Sequence, residues 1–142
     1  MISWSTIRCT ALAVVLACWS ALALGQDPAA TTVQHIARDW LALTDRGDGA
    51  ASWDAAAHQF KNALPRERWA DSLKKSRDPF GALAQRTVLS TTFATSFPGA
   101  PDGNYAMVLF RTSFAKKTDA TETVTLEREA DGAWRVVGYF IR

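Results

Sequence analysis

The pattern of apolar and polar positions changes period once along this chain. Between Val33 and Leu73 apolar residues recur at steps of three and four, and from Leu83 onward they alternate with polar ones. After a loose lead over Gln26 to Ala30, the residues Val33, Ile36, Ala37, Trp40, Leu41 and Thr44 form the stripe of a first helix that ends near Gly47. Asp48 caps a second helix, whose stripe is Trp53, Ala56, Ala57, Phe60 and Leu64. Pro65 opens a third, because proline is tolerated only in a first helical turn. That helix turns Trp69 and Leu73 inward, and Arg77-Asp78-Pro79-Phe80-Gly81 stops it.

Threonine and valine then replace alanine, and four strands fit: Leu83 to Ser96, Tyr105 to Phe114, Thr121 to Glu129 and Ala133 to Ile141. Pro98-Gly99-Ala100-Pro101-Asp102-Gly103, Ala115 to Ala120, and Ala130-Asp131-Gly132 carry the turn chemistry between them. Sequential hairpins make an antiparallel meander, so the expected fold is α+β, with three helices packed on one face of a curved, cone-like four-stranded sheet.

The last hairpin fixes a register. A two-residue loop at Asp131-Gly132 sets Arg128 against Arg135, an unfavourable like-charge pair. A three-residue loop with Gly132 left-handed sets Arg135 opposite Glu127 and Leu126 opposite Val136. Straight alternation then assigns Val124, Leu126, Trp134, Val136 and Phe140 to the core face. Thr123, Thr125, Glu127, Arg135, Val137, Tyr139 and Ile141 fall on the other. Tyr105 to Phe110 is apolar on both faces, which predicts cover on the sheet's second face, from a homodimer or from a loop of the same chain.

The N-terminus changes which chemistry is available. Arg8, an apolar run from Thr10 to Leu24, and small residues at Ala21, Ala23 and Gly25 are the parts of a secretory signal, so residues 1–25 are expected to be cleaved near Gly25 or Ala23. A retained anchor and lipidation at Cys18 are the alternatives. Residues 26–142 then form a single domain, expected in the periplasm or outside the cell, with no stable membrane span in the mature chain. Both cysteines, Cys9 and Cys18, leave with the signal, and with them any disulfide or thiol nucleophile. Loss of Arg8 takes the basic count from 16 to 15 against 14 acidic residues, too even a balance to attract nucleic acid.

Candidate chemistry is sparse. His35 and His58 stand outside any metal-ligand spacing, so neither metal nor cofactor is expected. No nucleophile-elbow or phosphate-loop motif occurs. Asp39, Asp45 or Glu122 with Tyr105 or Tyr139 could be assembled into an acid-base pair. Trp53, Phe60, Trp69 and Trp134 could wall a ligand cavity, with Arg77 or Arg86 as a fixed cation for an anionic ligand. The competing expectation is that the aromatics fill the cone and the arginines tie the third helix to the sheet through carbonyls and Glu122. Tyr105, Leu109, Val137 and Tyr139 are the candidate interface residues. The proline-glycine loop and Lys116-Lys117 are read first as turns.

These residues together resemble the family of small exported bacterial proteins called domain of unknown function 4019. Ser52-Trp53, Phe60-Lys61, Trp69, Arg77-x-Pro79-x-Gly81 and Arg86 carry the resemblance in the first half. Pro98 to Tyr105, Phe114, Glu122-Thr123 and Asp131-Gly132-x-Trp134-Arg135-Val136-x-Gly138-Tyr139 carry it in the second. It covers nearly all of residues 26–142 and includes no known catalytic signature. The family's Gly-Glu-Tyr stands here as Gly103-Asn104-Tyr105. The layout also resembles nuclear-transport-factor-two-like and cystatin-like folds, which implies architecture and no chemistry. The expected function is a non-enzymatic accessory module that binds a small molecule or an envelope protein. A small isomerase or hydrolase using a carboxylate in the cone, and a structural envelope protein, are the alternatives.

Overall fold

Asp27 caps the first helix by accepting a hydrogen bond from the Ala29 amide at 2.9 Å, while Pro28 occupies the first helical turn. The computed structural model describes residues 27–142, so the signal-peptide expectation lies outside the described residues. Helix α1 spans Pro28–Asp45 and buries Val33, Ala37, Trp40, Leu41 and Thr44, the stripe read from the sequence save for the half-buried Ile36. Among the described residues no helix is long and apolar enough to cross a membrane.

The second expected helix is two helices, α2 (Gly49–Asp54) and α3 (His58–Ala63). Ala57 between them is extended, and its amide donates to the Val136 carbonyl at 2.8 Å instead of to its own helix. The break thus ties the helical layer to the edge of the sheet. Ala57 offers no side-chain cap, so Glu129 supplies one from across the chain, accepting from the His58 amide at 2.7 Å. Apolar periodicity could not reveal this, because Ala56 and Phe60 stay in phase across the break. Helix α4 runs from Arg66 to Arg77 and continues into a 3-10 turn over Asp78–Phe80. It packs so close to α2 that a Cβ at Gly49 would sit 2.7 Å from the Ala70 Cα.

The sheet has the order β1 (Leu83–Ala94), β2 (Tyr105–Phe114), β3 (Lys117–Arg128) and β4 (Trp134–Ile141), all neighbours antiparallel. The helices cover one face of it, giving the α+β layer expected. The second hairpin is tighter than the sequence suggested. Its turn is Ala115-Lys116 alone, because their amides donate to Ala82 and Phe80 carbonyls and leave Lys117 free to pair with Phe114. In the last hairpin the three-residue loop forms as read, with Gly132 at φ +83° and Leu126 paired with Val136.

Register irregularities interrupt all three ladders and curve the sheet. The one in β4 overturns the face assignment. Leu126 pairs with Val136 but Thr125 pairs with Gly138, so Val137 is an extra, bulged residue. Beyond it the alternation is inverted. Tyr139 pairs with buried Val124 and turns to the core, whereas Phe140 pairs with Thr123 and is 60% exposed.

Inside, Trp40, Trp69, Phe60 and Tyr139 stack on one another, with ring centroids 5.0–6.4 Å apart. Two of the indoles share one residue as partner. Trp40 donates to the Ser52 carbonyl at 2.8 Å and Trp69 to its hydroxyl at 2.9 Å, which satisfies both N–H groups in the core.

Candidate functional site

Charged side chains occupy in-phase positions on the core faces of the helices and the sheet, and these charges meet. Asp45 closes the inward stripe of α1, Arg77 ends α4, Arg86 lies on the inner face of β1, and Glu122 lies on the inner face of β3. Arg86 spans both acids: its Nη1 and Nη2 donate to Asp45 at 2.7 and 2.9 Å, and its Nε donates to Glu122 at 2.6 Å. Arg77 donates to Asp45 at 2.7 Å and to the Thr44 hydroxyl at 3.0 Å, and its guanidinium lies 4.7 Å from the Phe114 ring centroid. Glu122, fully buried, also accepts from Thr112 at 2.6 Å and from the Tyr139 hydroxyl at 2.7 Å.

Two cations and two anions therefore neutralise one another, which is what lets charges persist in an interior. Burial alone would raise the Asp45 carboxyl, but hydrogen bonds from Arg86 and Arg77 outweigh it and hold the group below its ordinary 3.8. Burial, reinforced by the Glu122 charge, pushes the Tyr139 phenol far up, so it stays protonated and acts as a donor. Burial opposes the Arg86 charge, but Asp45 and Glu122 more than offset it and raise that guanidinium above its usual value.

An open cleft of about 440 Å³ lies against this cluster, lined by Thr44, Asp45, Arg77 and the Asp71, Lys74 and Asp78 side of α4. Lys74 is engaged with Asp78 at 2.7 Å. None of the candidate tryptophans reaches this cleft. Trp69 is in the aromatic stack. Trp53 donates to the Leu64 carbonyl at 2.7 Å with Lys61 above its ring. Trp134 pairs with Phe93 at 6.1 Å beside a separate groove of about 410 Å³ that includes Asn104, Tyr105 and Arg128. Of the ligand-site candidates, the structure thus brings together Arg77 and Arg86, and each is bound to acids of the same chain.

The outer face of the sheet has a different character. Tyr105 is 1% exposed because its own loop folds over it: Phe97 packs edge-on at 5.3 Å and the hydroxyl donates to the Pro101 carbonyl at 2.7 Å. Tyr105 and Tyr139 are therefore not free interface residues, one covered by a loop and the other turned inward by the bulge. Leu109 and Val137 remain half-buried on this side, and Met107, Leu89 and Phe140 join them.

Among the described residues no group of three or more histidines, cysteines, aspartates or glutamates is placed to hold a metal ion. The model of a family described as proteins of unknown function, DUF4019, matches residues 36–139, the span that holds every member of the buried cluster. The chain belongs to the DUF4019 family. This DUF4019 protein is also similar to two solved structures. Aln2 from a Streptomyces species is 13% identical with a TM-score of 0.49, over 82% of this chain and 91% of that one. ActVI-ORFA from Streptomyces coelicolor is 15% identical with a TM-score of 0.46, over 79% of this chain and 94% of that one. No curated protein matches the sequence.

Sequence reasoning missed Thr44 and Thr112 as members of the cluster, and the double grip of both arginines on Asp45. The signal was present. Asp45 follows Leu41 by one helical turn, Thr112 continues the inner alternation Ala106, Val108, Phe110, and Glu122 continues Ala120, Val124, Leu126. A polar residue in phase with a core stripe needs a buried partner.

Proposed function

We propose that this DUF4019 protein is an exported, non-catalytic module that binds a protein partner through the uncovered face of its sheet. The supporting observation is the saturation of the interior. Glu122 takes donors from Arg86, Thr112 and Tyr139, and Asp45 takes both arginines, so each interior carboxylate of the cluster is occupied as an acceptor. A general base needs a substrate proton within hydrogen-bond reach, and Glu122 has no exposed surface through which one could arrive. The outer face offers the opposite: half-exposed Leu89 and Phe140 beside Met107 and Leu109, with few charges among them.

Native mass spectrometry of the protein taken from its own cell envelope tests this reading. A protein–protein complex without an added small-molecule mass is expected. A monomer carrying a stoichiometric small molecule overturns it in favour of a ligand-binding role.

A further inference from the structure

The outer face carries a pattern of charge that selects its partner. Arg111 is exposed on β2 and makes no ion pair among the described residues. Glu127 stands on β3 in the row of Tyr105, and its Oε2 is buried without a hydrogen-bond partner. Burial, with the neighbouring Glu129 charge, raises its carboxyl above the ordinary range. Of the other charges on this face, Arg135 is engaged by Glu129 and Asp131, Asp119 lies beyond Arg111 at the rim of β3, and Arg142 stands opposite Thr121 at the far edge of the Arg111 row.

These two charges are placed symmetrically. Val108 pairs with Val124 at the middle of the sheet; Arg111 is three residues along β2 to one side, and the Tyr105–Glu127 pair is three residues to the other. At a rise of about 3.3 Å per residue each is about 10 Å from that line, and they sit on strands about 4.8 Å apart. A two-fold axis lying parallel to the sheet over Val108–Val124 superposes Arg111 of one copy on Glu127 of another when the strands of the two copies cross at about 30°. That is the angle at which twisted sheets pack face to face.

We propose that the partner is a second copy of this chain, stacked sheet on sheet, with Arg111 of each copy pairing with Glu127 of the other. The proposal rests on the preceding reading of the outer face as a docking surface. Leu109 of one copy covers Met107 and Thr125 of the other, and Phe140 lies near the axis. Leu89, beside a shallow depression of about 230 Å³ lined by Thr87 and Arg111, falls under the rim of the partner. Four strands by nine residues give a footprint of about 19 by 30 Å, about 570 Å² in projection, against the ~800 Å² per partner of a standard-size complex. The pairing also gives the Glu127 carboxylate a cation, which none of the described residues of its own chain supplies.

Sedimentation velocity on the exported protein, recovered from the cell envelope, decides it, using wild type, Arg111→Glu, Glu127→Arg and the double exchange. All of the exchanges change residues outside the core, and near-ultraviolet circular dichroism checks that each is folded. Wild type is expected to sediment as a dimer, each single exchange to weaken association by about tenfold or more, and the double exchange to restore it to within about threefold. A monomeric wild type at concentrations up to about 100 µM overturns the proposal, as does a dimer indifferent to the single exchanges or not restored by the double one. A monomer that binds a different protein through this face removes the second copy but leaves the proposed function standing, whereas a monomer bound to a small molecule removes both.

Discussion

The Tyr139 hydroxyl donates to Glu122 at 2.7 Å, although straight alternation along β4 would point the ring out of the core. The contact exists because Val137 is an extra residue between the Leu126–Val136 and Thr125–Gly138 pairs. One bulged residue therefore exchanges Tyr139 and Phe140 between faces, completing the buried cluster and giving the outer face its most exposed large apolar side chain.

Deletion of Val137 provides a direct test of that bulge. Without it the pairs Leu126–Val136 and Thr125–Gly138 follow in regular alternation, and Tyr139 still faces inward. The shortened protein is expected to fold cooperatively, with a loss of about 1–3 kcal/mol and an unchanged near-ultraviolet spectrum. Loss of the aromatic signal with retained secondary structure would mean that Tyr139 had moved outward and that the register is wrong.

The buried cluster predicts unequal costs for its members. Tyr139→Phe removes one of several donors to Glu122 and is expected to lower stability by about 1–2 kcal/mol. Glu122→Ala leaves both guanidiniums buried against Asp45 alone and is expected to cost about 3–5 kcal/mol. Urea denaturation of the two variants measures the difference, and equal small losses would show that the cluster is not buried as described.

Acid should weaken the fold through Asp45. Its folded value lies below the ordinary 3.8, so the stabilisation is full above that value and is lost as the pH falls through the lower, folded one. Asp45→Asn is expected to be less stable at neutral pH and to show a shallower acid limb in a series of thermal melts spanning roughly pH 2 to 6. An acid limb of unchanged slope would contradict the assignment.

At the edge of the sheet, Glu129 caps α3 from outside the helix, accepting from both the amide and the ring of His58. Glu129→Ala is expected to cost about 1 kcal/mol and to speed amide exchange in His58–Ala63 more than in α1. Uniform exchange rates would place the cap elsewhere.

How much of this was legible in the sequence follows from where each feature is encoded. The helix-to-strand change of period, the Gly132 loop and the pairing of Leu126 with Val136 rest on local pattern, and they form as read. The Ala57 break and the Ala115-Lys116 turn do not. Each is stabilised by a backbone hydrogen bond to a distant carbonyl, of Val136 or of Phe80 and Ala82, that no local pattern records. The β4 bulge was hidden for a related reason: Val137-Gly138 suits a regular strand as well as a bulge, and the choice is made by Tyr139 reaching Glu122. The tie between the arginines and Glu122 is one of the sequence's expectations, whereas Asp45 becomes their common acceptor only where α1, α4 and β1 meet.

The central claim is that the outer sheet face, not the polar interior, meets the partner, and that the partner is another copy. A single cysteine at Thr123, on a background with Cys9 and Cys18 changed to serine, places one thiol in the row of Leu109 and Phe140. The account predicts that a short bismaleimide linker joins two copies efficiently at Thr123→Cys and not at Asp71→Cys on α4. No cross-linked dimer at Thr123, or equal yields at both positions, would contradict it.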